Sequence, residues 1–111
     1  MDLPKDMVAA SATPLVLAIL NKGDSYGYDI IAQVKDLSNG EMQWADGMLY
    51  PIMHRLEKKA LINAYWGQSA TGRKRKYYQI TQEGQQTLIS LTQNWRKLND
   101  MLQGLVGEEH V

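Results

Sequence analysis

The sequence contains no cysteine, which excludes disulfide bonds, a thiol nucleophile and a metal site built from thiolates. It also lacks a long apolar run, because its most apolar stretch, residues 15–20, is far shorter than the roughly 20 residues that span a bilayer. The first residues contain no secretory core. These absences predict one soluble domain, residues 1–111, that is cytoplasmic and has no membrane partner.

The motifs of catalysis are missing as well. No serine lies in a nucleophile elbow, and no glycine-rich loop has the spacing that binds phosphates. His54 and Glu57 have a spacing that can chelate a metal on a helix, but no second pair completes the site. We therefore expect a protein that is not an enzyme and that uses no cofactor and no metal.

Formal net charge is zero, with 12 basic and 12 acidic side chains, but the charges are unevenly distributed. Residues 54–76 contain seven Lys or Arg and one Glu, a local charge of +6. Such a patch acts on its own because more distant charges are screened at physiological salt. The patch indicates a polyanionic partner, although a run of cations at a strand end can also serve only solubility.

A helix followed by a hairpin carries this patch. Residues 46–59 have apolar side chains at helical spacing, continued by Ala60, and a polar opposite face. Residues 62–66 and 73–80 then have strand patterns on either side of a loop, 67–72. This order predicts a winged helix, in which the helix enters the major groove of double-stranded DNA and the loop reaches phosphates. The expected DNA-binding residues are Tyr50, His54, Arg55 and Lys58 on the helix and Arg73 and Lys74 on the wing.

The pattern elsewhere predicts helices before and after this unit, and the winged helix is expected at about residues 13–80. Near Pro14, either one helix kinks or two short helices meet. Pro51 is expected in the first turn of its helix. The expected helix caps are Asp24 or Ser25, Asp46 and Thr81. The fold class is mainly α with a two-stranded β wing and a long C-terminal helix.

That last helix, at about residues 81–105, has apolar residues spaced 3, 4, 3, 4 and 3 apart, which is the seam of a coiled coil. The seam consists of Leu88, Leu91, Trp95, Leu98, Leu102 and Leu105. It could pack inside the same chain against residues 15–20, or against a second copy. We expect both, with the distal half forming a homodimer through Leu91, Trp95, Leu98, Leu102 and Leu105.

Three segments, residues 25–30, 47–57 and 73–81 followed by Gly84, resemble the PadR family of transcriptional regulators. The resemblance covers nearly the whole chain and is greatest to the short branch of the family, which has a single C-terminal helix. It implies a dimeric winged-helix repressor whose first and last helices form the interface.

Drug-sensing members of this branch stack planar aromatic ligands between paired tryptophans, and the resemblance gives that role to Trp95. Met7 matches a pocket-wall position, and Asn99, one turn after Trp95, replaces an acidic residue of the drug sensors. Plain interface packing is the alternative role of Trp95. The expected function is a dimeric repressor released by a small planar aromatic ligand, and the alternative is a winged-helix module that binds protein or RNA without sensing a ligand.

Overall fold

The computed structural model describes residues 4–107 as four helices and a three-stranded antiparallel sheet. The elements in chain order are α1 (Lys5–Lys22), β1 (Ser25–Tyr26), α2 (Gly27–Leu37), α3 (Asp46–Lys58), β2 (Ile62–Gln68), β3 (Lys74–Ile80) and α4 (Gln82–Val106). The strand order is β1-β3-β2. The predicted fold is confirmed as a mainly helical winged helix with a β2–β3 wing and a long last helix.

The core lies where α1, α2 and α3 pack together and are covered by the sheet. The predicted apolar stripe of α3 is confirmed, because Leu49, Ile52, Met53 and Leu56 are all buried. Ala60 does not belong to it: α3 ends at Lys58, and Ala60 is exposed in a turn with φ of 60°. No helix among residues 4–107 is long and apolar enough to cross a membrane.

Helix α1 continues without interruption through Pro14, so the alternative of two short helices is wrong. Proline removes one backbone donor from a helix interior, which is unfavourable. Burial of Val16, Leu17 and Leu20 in the core offsets that cost. Pro51 likewise lies inside α3, one turn later than predicted.

Two predicted caps are wrong. Ala45, not Asp46, precedes α3, and its side chain makes no capping hydrogen bond. Helix α2 begins at Gly27 directly after β1, so neither Asp24 nor Ser25 is its cap. Residues 25 and 26 form instead a strand that was not predicted, in which Ser25 pairs with Tyr78.

The predicted cap of α4 is confirmed. The Gly84 N–H donates to Thr81 Oγ1 at 3.0 Å, and the Thr81 hydroxyl donates to the Ala60 carbonyl at 2.7 Å. The first turns of α4 pack against the core through Leu88 and Leu91, beside α1. The 25 residues of α4 span about 37 Å at 1.5 Å per residue.

Gly84 leaves no room for a side chain, which yields a stability prediction. A Cβ at this position would lie 2.1 Å from the Leu61 carbonyl oxygen and 2.7 Å from Ile80 Cγ1. We expect Gly84→Ala to lower the free energy of unfolding by about 2 kcal/mol or more, as overpacking does. Urea denaturation would measure it. Gly104→Ala, in the same helix with open space around it, is the matched control and should raise stability by about 0.5–1 kcal/mol.

Candidate nucleic-acid interface

The exposed face of α3 contains the four helical residues predicted to bind DNA. Tyr50, His54, Arg55 and Lys58 are all exposed, on the side opposite the buried stripe. Burial of Leu49, Ile52, Met53 and Leu56 fixes the rotation of the helix, because a helix that buries one stripe must present the other to solvent. The arrangement offers hydroxyl, imidazole and cationic donors on the exposed side of one helix.

Arg73 at the end of the hairpin loop and Lys74 at the start of β3 are also exposed. Backbone hydrogen bonds order the loop: the Ser69 N–H donates to the Arg73 carbonyl and the Gly72 N–H to the Ser69 carbonyl, both at 2.9 Å. Gly72 has φ of 84°, a conformation that suits glycine. The two cations therefore project from a defined turn.

Packed tyrosine rings on one face of the sheet stabilise this hairpin. The rings of Tyr65 and Tyr77 are stacked with centroids 5.7 Å apart, and Tyr26 meets Tyr77 edge to face at the same distance. The Tyr65 hydroxyl donates to Asp24 Oδ2 at 2.5 Å, and this bond is the main reason that the pKa of Tyr65 is raised. A Cβ on Gly67 would lie 2.8 Å from the Tyr77 ring, so glycine permits the close approach.

Sequence reasoning missed a crevice between the hairpin and the helices. It has a volume of about 600 Å³, and its lining includes Tyr28, Tyr50, Trp66, Arg75 and Lys76. Buried Tyr78 forms part of its wall; burial, followed by the charge of Glu57, raises the pKa of Tyr78 to about 12. The phenol is therefore neutral at physiological pH. The cross-strand pair of Trp66 and Lys76 in the crevice follows from the register of β2 and β3, which the sequence alone does not specify.

A second cavity lies between α1 and α4 and brings together Met7 and Trp95, two of the three residues predicted to bind a ligand. Its volume is about 290 Å³. The lining consists of Met7, Ser11, Pro14, Leu15, Met42 and Trp95, and we call it the tryptophan cavity. Asn99, one turn further along α4, is not part of the lining. Met42, which lies between α2 and α3, is buried and also forms part of this wall.

The seam residues of α4 divide into two groups. Leu91 packs against the core of its own chain. Trp95, Leu98, Leu102 and Leu105 are 41%, 46%, 51% and 71% exposed. The first half of the helix is thus used within the chain, while the second half presents an apolar row to solvent. Among residues 4–107, no cluster of His, Asp or Glu could hold a metal ion.

An exposed helix beside a cationic hairpin, both fixed on a three-helix core, defines a winged-helix protein of the kind that binds DNA. The model of the transcriptional regulator PadR-like family matches residues 16–90, and the chain belongs to this family. It is therefore a DNA-binding transcriptional regulator and not an enzyme, which agrees with the missing catalytic motifs.

Individual proteins show the same relationship. A transcriptional regulator from Clostridium thermocellum superposes with a TM-score of 0.84 at 27% identity, covering 94% of this chain and 98% of its own. A PadR family transcription regulator from Clostridium difficile R20291 is 35% identical, with a TM-score of 0.77 and coverage of 86% and 98%. The transcriptional regulator YqjI of Escherichia coli is 31% identical over 74 residues, which are 67% of this chain but 34% of YqjI.

Proposed function

We propose that the protein is a homodimeric repressor that binds a palindromic operator and is released by a planar aromatic ligand at the dimer interface. The observation that carries the proposal is the exposed apolar row on α4, which begins at the tryptophan cavity and continues to the end of the helix. The apolar row on α4 thus supports both the homodimer and the aromatic ligand at its interface.

The exposed row favours a second copy of the chain as its partner. Leaving apolar surface in water costs roughly 25 cal/mol per Å², and a row of Leu and Trp side chains at heptad spacing matches the same row on another helix. The molecule is elongated, with extents of 57 × 31 × 21 Å, because the distal part of α4 projects from the core. A two-fold pairing of these helices covers the row on both subunits.

The dimer places two recognition helices on one face of the DNA. Half-sites about 34 Å apart, one helical turn, suit a two-fold symmetric winged-helix dimer. In each subunit Tyr50, His54, Arg55 and Lys58 reach base edges or flanking phosphates, and Arg73 and Lys74 hold the wing on the backbone. Occupancy of a promoter in this way blocks polymerase, which makes the protein a repressor.

The ligand site is formed where the two tryptophan cavities meet. One cavity of about 290 Å³ is small for a drug-sized molecule, but two of them facing each other across the axis suffice. The walls from Met7 and Trp95 are apolar, and the flat indole of Trp95 suits stacking of planar rings. The chain resembles the short branch of the family, including a lactococcal multidrug-resistance repressor, and Asn99 in place of an acid reduces selection for cationic ligands.

Fluorescence quenching by planar aromatic dyes tests this site. We expect quenching at micromolar dye and weaker operator binding in its presence, and Trp95→Ala should lower dye affinity about tenfold or more because two stacking faces are lost. Trp66→Phe is the matched control: Trp66 is 69% exposed on the wing, so its loss should change the signal but not the dye affinity. Quenching that is identical in wild type and Trp95→Ala would refute ligand binding at the interface.

A further inference from the structure

The crevice beside the hairpin exists because β1 is very short. Strand β1 pairs with β3 only at Tyr77 and Tyr78. Among residues 4–107, no strand pairs with Arg75 and Lys76 on the side of β3 that faces away from β2. The chain turns at once into α2, so Tyr28 lies across the gap from the two cations. We call this space, lined by Tyr28, Tyr50, Trp66, Arg75 and Lys76, the wing crevice.

The lining combines two cations with exposed aromatic rings. The Arg75 guanidinium lies over the ring of Tyr26 at 3.9 Å from its centroid, and Lys76 Nζ lies 5.5 Å from the centroid of Tyr78. Such contacts hold a cation in place without neutralising it. None of the lining residues is acidic; Glu57, whose charge acts on Tyr78, is not part of the lining. The crevice therefore favours an anion.

Two of the rings are strongly exposed. Trp66 is 69% exposed and Tyr28 is 78% exposed, although both have large apolar faces. On β2 the side chain of Trp66 is paired with Lys76, so a flat apolar surface and a positive charge are presented together. This pair matches the alternating apolar sugar and anionic phosphate of a nucleic-acid backbone better than it matches a purely apolar partner.

We propose that the wing crevice holds a sugar–phosphate segment of the DNA strand that borders the groove entered by α3. Lys76 and Arg75 neutralise its phosphate, and Trp66 packs on the adjacent deoxyribose. The crevice is continuous with the recognition helix, because Tyr50 belongs to both. The inference rests on the proposed DNA-binding mode and adds three residues to it, between the contacts of α3 and those of Arg73 and Lys74.

Salt-dependent binding to a mixed-sequence DNA duplex tests the charge. We expect Lys76→Gln to reduce the slope of log affinity against log salt by about one per bound subunit, since one phosphate contact is lost. Lys76→Arg should retain the slope. Lys97→Gln, which removes the same charge from an exposed position on the distal part of α4, is the matched control and should leave the slope unchanged.

Trp66 provides an independent readout. Trp66→Ala should weaken duplex binding about threefold to tenfold without changing the salt slope, because it removes an apolar contact and no charge. Addition of DNA should change the emission of the wild type but not that of Trp66→Phe, since Trp44 is 5% exposed and Trp95 lies on α4. The substituted side chains are exposed or half-buried, and circular dichroism would verify that each variant is folded.

The outcomes separate the crevice from the rest of the interface. If Arg73→Ala with Lys74→Ala weakens binding while Lys76→Gln and Trp66→Ala match wild type, the crevice proposal is overturned and the proposed wing contact stands. If none of these substitutions alters duplex binding, both are overturned. A reduced slope in Lys76→Gln together with a Trp66-dependent emission change supports DNA in the crevice.

Discussion

Replacing Arg73 and Lys74 together by Ala is expected to weaken binding to every DNA duplex and to flatten its dependence on salt. Each phosphate contact releases about one counterion, so the slope of log affinity against log salt should fall by about two per bound subunit, and by about four for the proposed dimer. The corresponding loss of affinity at physiological salt is roughly tenfold per subunit, or about a hundredfold for the dimer. Specificity among sequences should change little, since phosphates carry no sequence information.

Fluorescence anisotropy with a labelled duplex at several salt concentrations would measure this effect. Lys22→Ala with Lys97→Ala is the matched control, because it removes two exposed cations that lie on α1 and α4. If the control flattens the slope as much as the wing variant, the effect comes from net charge alone. If the wing variant keeps the wild-type slope, the hairpin does not touch DNA, and a protein-binding or RNA-binding role becomes the better explanation.

The second large effect is expected at the seam of α4. Leu98→Asp combined with Leu102→Asp should convert a dimer of twice 12.6 kDa into a monomer. Four carboxylates would lie in the dimer interface, and each buried charge without a partner costs several kcal/mol, so dimer affinity should fall by at least about a thousandfold. Operator binding should fall with it, because a monomer engages one half-site.

Light scattering at micromolar protein would give the mass of each variant. Gln93→Asp with Gln103→Asp adds the same charge to exposed positions of α4 away from the seam, and it should remain a dimer. Both seam residues are already about half exposed in the single chain, so the core does not depend on them. A double seam variant that stays dimeric would place the interface elsewhere.

Much of the fold could be predicted from the sequence because its elements are long and periodic. The stripe through Leu49 and Leu56 determines the orientation of α3, and Thr81 begins α4 as its side-chain chemistry indicates. Strand β1 could not be predicted in this way. Its two residues have no period, and they form a strand only because Tyr77 and Tyr78, about fifty residues later, offer backbone partners.

The candidate site also contains parts that local sequence patterns predict and parts that depend on contacts between distant segments. The face of α3 and the tip of the wing follow from helical spacing and from a run of cations, both of which are local patterns. The wing crevice depends on the place where β1 ends, which brings Tyr28 of α2 and Arg75 of β3 to opposite sides of one space. Likewise, the meeting of Met7 with Trp95 depends on how α1 packs on α4, although the family resemblance pointed to both residues.

The start of α4 is held directly against the turn that follows α3. The Thr81 hydroxyl and N–H bond the carbonyls of Ala60 and Leu61, and Gly84 lies directly on the Leu61 carbonyl. In the proposed dimer, α4 is therefore a lever arm whose far end is held at the symmetry axis. Tilting a 37 Å rod by about 5° moves its near end by about 3 Å, close to one base-pair step of roughly 3.4 Å. A ligand that separates the two α4 helices by a few degrees would thus move both recognition helices out of register with the helical repeat of DNA. No change inside the winged helix itself is needed.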